Sequence, residues 1–205
     1  MSNEAIVHVI DDDFGVRDSI SFLLASEGFS VRAYESADRF LTKTTSAPAG
    51  CIVSDIRMPG IDGIELLRRV AGRGWRLPVI IMTGHGDVPL AVEAMKEGAV
   101  DFVEKPFDDE RLLSTVRAAL ERGEVVAAKD AEAAAIAVRF EALSERERQV
   151  LKGLLAGKAN KVIAYDLDIS HRTVEIYRAN VMQKTQATSL SELVRMALLC
   201  GVMPR

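Results

Sequence analysis

Three acids stand in a row at Asp11, Asp12 and Asp13, directly after the apolar run Ala5 to Ile10, and another, Asp55, follows the run Cys51 to Ser54. Two more polar groups obey the same rule: Thr83 follows Val79 to Met82, and Lys105, with Pro106 next, lies just beyond Asp101 to Val103. Taken singly, each has an ordinary explanation as a helix cap, a turn residue or a solvated lysine. Together they describe one chemistry. Carboxylates brought close repel and must be neutralised, so a cluster of Asp11, Asp12 and Asp55 calls for a hard cation with oxygen ligands, such as Mg2+. That cation would screen an incoming phosphoryl group. Lys105 would neutralise one phosphoryl oxygen as a point charge, and Thr83 would donate a hydroxyl hydrogen bond to another.

The elements that must bring these residues together are legible in the hydrophobic pattern. The apolar runs Ala5–Ile10, Val31–Tyr34, Cys51–Ser54, Val79–Met82 and Asp101–Val103 are of strand length. Stretches with helical spacing lie between them, such as Val16, Ile20, Leu23 and Leu24, then Ile64, Leu67 and Val70. Five βα units of this kind predict a doubly wound α/β fold with a parallel sheet covered on both faces. In such a sheet, functional groups collect at the carboxyl ends of the strands, where the polar residues stand.

Beyond residue 140 the strand signals stop and the pattern is all-α. Ser144 followed by Glu147 is a capping-box signature for a helix ending near Ala156, with Gly157 as its stop. Asn160–Leu167 fits a second helix, Ser170 caps a third carrying Val174, Tyr177 and Val181 on its inner face, and Leu190–Cys200 fits a fourth. Residues 1–122 are therefore read as one domain, 123–140 as an Ala-rich helical linker and 141–205 as a four-helix domain. Gly123 costs about 1 kcal/mol in a helix interior relative to Ala, so either a continuous linker helix with a soft spot or a break is expected there.

Charge divides the same way. Through residue 140 there are 16 Lys/Arg against 23 Asp/Glu, and from 141 onward 10 against 7. An acidic half suits a divalent cation, and a basic half suits a polyanion. No signal peptide or stretch of about 20 apolar residues is present, which predicts a cytoplasmic protein with no membrane partner. Cys51 and Cys200 lack metal-site spacing and are read as reduced. His8, His85 and His171 are isolated from one another and are given no metal or catalytic role.

IDDD at 10–13, SDIRMPGIDG at 54–63, TG at 83–84 and EKPF at 104–107 resemble the receiver domain of two-component response regulators. The resemblance implies that Asp55 is phosphorylated by a sensor histidine kinase. It implies that Asp11, Asp12, Asp55 and the Arg57 carbonyl hold Mg2+, for which Mn2+ can substitute. It also implies that Thr83 and Lys105 contact the phosphoryl group, that Lys105–Pro106 is cis, and that Phe102 is a switch aromatic that rotates inward on phosphorylation. That rotation would reshape the face around residues 88–97 and promote a homodimer. The stretch TGHGDVPLAVEAMKEGAVDFVEKPF is similar to regulators of the FixJ type, which implies activation of nitrogen-fixation genes and contact with RNA polymerase. One small departure is Asp13, where FixJ-type proteins often have Glu.

Residues 143–184 resemble the effector domain of the LuxR class, a helix-turn-helix that binds double-stranded promoter DNA. With Val174, Tyr177 and Val181 turned inward, Arg172, Glu175, Ile176, Ala179 and Gln183 point outward. Ile176 and Ala179 suit thymine methyl groups and Glu175 suits cytosine N4, while Lys161, Arg172, Arg178 and Lys184 suit phosphate. Thr173 is counted among the DNA-contacting residues. Tyr177 stands where the family usually has His.

Two other readings compete. Asp11-x-Asp13 after an opening strand resembles the nucleophile and acid of haloacid-dehalogenase-type phosphatases, which would make the chain an enzyme, but this leaves SDIRMPG and the helical half unexplained. The helical half could instead be a protein-interaction module, against which its exposed polar helix face argues. The reading adopted is a non-enzymatic response regulator.

Overall fold

The computed structural model describes residues 5–84 and 88–202. His85, named above with His8 and His171, lies outside the described residues. The chain divides into two compact units, Met1–Ala127 and Ala128–Arg205.

In the first unit, strands β1 (Ile6–Ile10), β2 (Ser30–Tyr34), β3 (Gly50–Asp55), β4 (Val79–Thr83) and β5 (Asp101–Glu104) alternate with helices α1 (Phe14–Ser26), α2 (Ala37–Lys43), α3 (Gly63–Gly72) and α4 (Val88–Lys96). All pairings are parallel, in the order β2-β1-β3-β4-β5. The interior strands are apolar on both faces because both are covered. Val7, Val9, Cys51, Val53, Ile80 and Met82 pack with Ile20, Leu24, Leu112 and Val116 on one side. The intervening residues Ile10, Ile52, Val79 and Ile81 pack with Phe40, Leu66 and Leu67 on the other.

The strand order reverses direction between β1 and β3, which opens a crevice at their carboxyl ends. Register fixes what lies there: Ile10 pairs with Ser54, so one further step sets Asp11 beside Asp55. Gly63 lets the loop after β3 return closely, since a Cβ there would lie 2.8 Å from the Asp55 carbonyl oxygen.

Helix α5 (Asp109–Glu141) runs unbroken through Gly123, the continuous one of the two expected alternatives. A Cβ at Gly123 would stand 3.3 Å from Pro78 Cγ, so the small residue serves packing. The second unit continues with α6 (Glu145–Leu155), α7 (Asn160–Asp166), α8 (His171–Thr185) and α9 (Leu190–Leu199). The Ser144–Glu147 capping box forms in both directions, and Gly157 follows the end of α6 at φ +71°. Val150, Leu154, Ile163, Val174, Val181 and Leu193 are the centre of this unit's core. Among the described residues no helix is long and apolar enough to cross a membrane.

Candidate functional site

At the crevice the Lys105 ammonium bridges two acids from interior strands, donating to Asp11 Oδ2 at 2.8 Å and to Asp55 Oδ1 at 2.5 Å. The remaining oxygens are held by backbone. Asp11 Oδ1 accepts from the Asp13 amide at 2.9 Å, and Asp55 Oδ2 accepts from the Arg57 amide at 2.8 Å. Asp11 and Asp55 are buried. Burial pushes the Asp11 carboxyl up, against the pull of Lys105. Burial also works against the charge on Lys105, but its hydrogen bonds to Asp11 and Asp55 outweigh this and leave its pKa raised.

The other expected residues surround this bridge. Thr83 ends β4, is buried, and its carbonyl accepts the Lys105 amide at 2.7 Å. Lys105–Pro106 is cis. Phe102 on β5 is 40% exposed and so is not an ordinary core aromatic. Asp12 is exposed, and Asp13 caps α1 through the Val16 amide at 3.0 Å. Among the described residues no three His, Cys, Asp or Glu side chains form a ready-made metal cage. The donor set nonetheless fits a hard cation: Asp11 and Asp55 carry two charges against the one on Lys105, and exposed Asp12 adjoins them.

The second unit presents the helix pair α7 and α8, joined by a turn in which Asp168 adopts φ +52°. Ser170 caps α8 by accepting the Thr173 amide at 3.0 Å. Val174 and Val181 are fully buried and Tyr177 is half-buried against the core. Arg172, Glu175, Ile176, Ala179 and Gln183 are exposed, with Ile176 at 54%. The face inferred from periodicity is thus the solvent face.

Three expected DNA contacts also have partners within the unit. Thr173 Oγ1 lies 2.7 Å from Ser170 Oγ, inside the cap. Arg178 donates to Asn160 Oδ1 at 3.4 Å, and Lys184 Nζ lies 2.7 Å from Glu147 Oε2. Glu147 was read only as part of a capping box. It is a buried acid whose carboxyl is held below the usual range, chiefly by Lys184. No local spacing announces a partner 37 residues away.

Known proteins match both units. A family model described as the response regulator receiver domain matches residues 7–117, and one described as bacterial regulatory proteins, luxR family, matches 141–197. The chain is 55% identical over 203 residues to the transcriptional regulatory protein FixJ of Bradyrhizobium diazoefficiens, covering 99% of each. It is 58% identical over 198 residues to that of Azorhizobium caulinodans, covering 97% of this chain and 94% of the relative. Among solved structures, full-length FixJ from B. japonicum matches with a TM-score of 0.60 at 55% identity, covering 98% of each chain. The response regulator StyR matches with a TM-score of 0.82 at 37% identity, covering 95% and 98%.

Proposed function

The chain belongs to the response regulators that join a receiver domain to a luxR-family domain, and from that premise we propose that Asp55 is its phosphoryl acceptor and α8 its DNA-reading helix. It is a transcriptional regulator, and the phosphoryl group arrives from the phosphohistidine of a sensor kinase. An oxygen of the Asp55 carboxylate forms the new P–O bond as the P–N bond breaks, and the proton needed by the departing imidazole comes from the kinase side or solvent. The observation that carries this reading is the Lys105 bridge, which holds a cation against both Asp11 and Asp55 where the phosphoryl charge would develop.

Asp11, Asp12, Asp55 and the Arg57 carbonyl would hold Mg2+ or Mn2+, which supplies charge neutralisation to the phosphoryl oxygens. Lys105 would pass from the Asp55 carboxylate to a phosphoryl oxygen. Thr83 would donate its hydroxyl to another, and the space it leaves would admit Phe102 from its half-exposed position. The face of α4 and β5, with Val92, Met95 and Phe102 exposed, would then pair with a second copy. In the dimer, two copies of α8 would read two half-sites of promoter DNA. Arg172 and Lys161 would contact phosphate, with Arg178, Thr173 and Lys184 engaged as far as their partners release them. Glu175, Ile176 and Ala179 would face bases. Activation of nitrogen-fixation genes through RNA polymerase in the cytoplasm is the output this reading favours, resting on the likeness to FixJ proteins.

Incubation with acetyl phosphate and Mg2+ tests the reading directly. Intact-mass measurement is expected to show one added phosphoryl group, absent in Asp55→Asn, and a gel shift with genomic fragments is expected to strengthen with it. An unmodified mass for the native chain would overturn the phosphoacceptor assignment.

A further inference from the structure

We infer that a polar recess on the α2 face of the sheet binds a small organic anion, a phosphorylated or polycarboxylate metabolite, with Arg32 and Lys43 taking its charge and the buried His8 ring donating to it from Nε2. The recess is about 740 Å3, a volume ordinary for a metabolite site. Ile6 and His8 of β1 and Arg32 of β2 line it from the sheet, and Lys43, Thr45 and Ser46 line it from the end of α2 and the loop that leads to β3. That loop is tied to the start of β1, where the Ile6 amide donates to the Ala49 carbonyl at 3.2 Å. The recess therefore belongs to the amino-terminal part of the sheet, and none of Asp11, Asp55 and Lys105, which meet at the carboxyl ends of the strands, lines it.

Two independent observations point to an anion. The first is His8 Nε2, which is buried without a hydrogen-bond partner among the described residues, in a side chain only 2% exposed. Buried polar atoms are nearly always paired, so this one calls for a partner. Its neighbour decides which kind. The Tyr34 hydroxyl lies 3.3 Å from Nδ1, and a phenol gives its hydrogen readily to an imidazole nitrogen, which leaves the ring hydrogen of neutral His8 on Nε2. Burial, and then Arg32, keep the ring neutral near pH 7. With Nδ1 turned to Tyr34, Nε2 is the polar edge left to the recess that the ring lines, and it is a donor in want of an oxygen.

The second observation is charge without compensation. Arg32 and Lys43 are exposed cations, and no described acid pairs with either. No carboxylate lines the recess: Glu35 lies outside it, and Asp38 stands in the first turn of α2 near Gly60, at the other end of that helix from Lys43. The carbonyl end of α2 would by itself disfavour an anion. Arg73 offsets this by donating to the Leu41 and Thr44 carbonyls at 3.1 Å each. Thr45 and Ser46 add hydroxyl donors, so the lining side chains offer donors and cations and no acid. A lone phosphate is far smaller than the recess, and the occupant accordingly carries an organic body.

Isothermal titration of the full-length, unphosphorylated protein with citrate, phosphoenolpyruvate and inorganic phosphate tests the site, together with heteronuclear NMR spectra of the histidine rings. Citrate or phosphoenolpyruvate is expected to bind with a Kd below about 1 mM and to move the His8 Nε2 resonance, with inorganic phosphate at least about tenfold weaker. Arg32→Gln and Lys43→Gln, both at exposed positions, are each expected to weaken that binding about tenfold with an unchanged melting midpoint in the absence of anion, whereas Lys129→Gln, an exposed cation outside the recess, is expected to leave it unchanged. Inorganic phosphate binding as tightly as the organic anions would overturn the assignment of an organic occupant. Binding that survives both recess variants, or that leaves His8 unmoved, would overturn the site. An absence of binding by all three probes in the millimolar range would overturn the inference and leave Nε2 to water.

Discussion

Lys184, near the end of α8, places its ammonium 2.7 Å from a carboxylate oxygen of Glu147 in the first turn of α6, and the acid is buried while the lysine is partly exposed. The pair ties the far end of α8 to the first turn of α6. Removing the lysine leaves a buried charge with only the Ser144 backbone amide and hydroxyl for support. Lys184→Ala is therefore expected to destabilise the C-terminal unit by about 2 kcal/mol, read as a lowered urea midpoint. Because the folded-state pKa of Glu147 is depressed, this contribution is present above the ordinary carboxylate pKa and is lost as pH falls through the lower folded value. An unchanged midpoint in Lys184→Ala would show the pair to be idle.

Lys105→Ala should expose the repulsion it now quenches. With Asp11 and Asp55 left adjacent and without their counter-charge, the receiver unit is expected to lose about 2 to 3 kcal/mol in EDTA and to recover part of it in millimolar Mg2+. Thermal melts in the two buffers make the comparison. Equal loss in both would argue against a cation held by these acids.

His8 provides a pH test within the first unit. It is 2% exposed in β1, its Nδ1 lies 3.3 Å from the Tyr34 hydroxyl, and its ring meets Phe40 edge-on. Burial first, then Arg32, pushes its pKa down from 6.5 to about 4. The unfolded chain takes up the proton first, so this contribution is complete above about 6.5 and is lost as pH falls through about 4. The loss amounts to as much as about 3 kcal/mol. His8→Phe is expected to flatten receiver stability across that window relative to the native chain, and a parallel pH profile would refute the assignment.

Asp168 holds φ +52° in the turn between α7 and α8, a left-handed conformation that favours glycine. Asp168→Gly is expected to stabilise the unit by about 0.5 kcal/mol, the relief of backbone strain outweighing the extra freedom of the unfolded chain. A raised melting midpoint with unchanged DNA selectivity is the expected result, and a lowered one would contradict it.

The interior strands were legible because burial on both faces writes them as unbroken apolar runs, and with them came Asp11, Asp55 and Thr83 at the strand ends. The solvent face of α8 was legible for a similar reason, since Val174 and Val181 declare the opposite side. What sequence could not show were pairings that only folding brings about. Lys184 and Arg178 read as cations suited to DNA phosphate, with no sign in the spacing that Glu147 and Asn160 would stand beside them. His8 read as isolated because its partner Tyr34 lies 26 residues away, one strand over. Asp13 was grouped with its neighbours by composition, yet backbone geometry at the start of α1 makes it a cap.

Strand order also separates what stays still from what travels. The acids sit on β1 and β3, each flanked by a strand on either side, whereas Lys105 and Phe102 hang from β5 or its end, a rim strand joined to β4 alone. An interior strand shifts only by tearing two ladders, a rim strand by loosening one. The sheet thus offers an anvil in its middle and a movable jaw at its margin, so that a charge gained at Asp55, as proposed above, would be relayed outward through the rim strand that carries Phe102 and leads into Lys105.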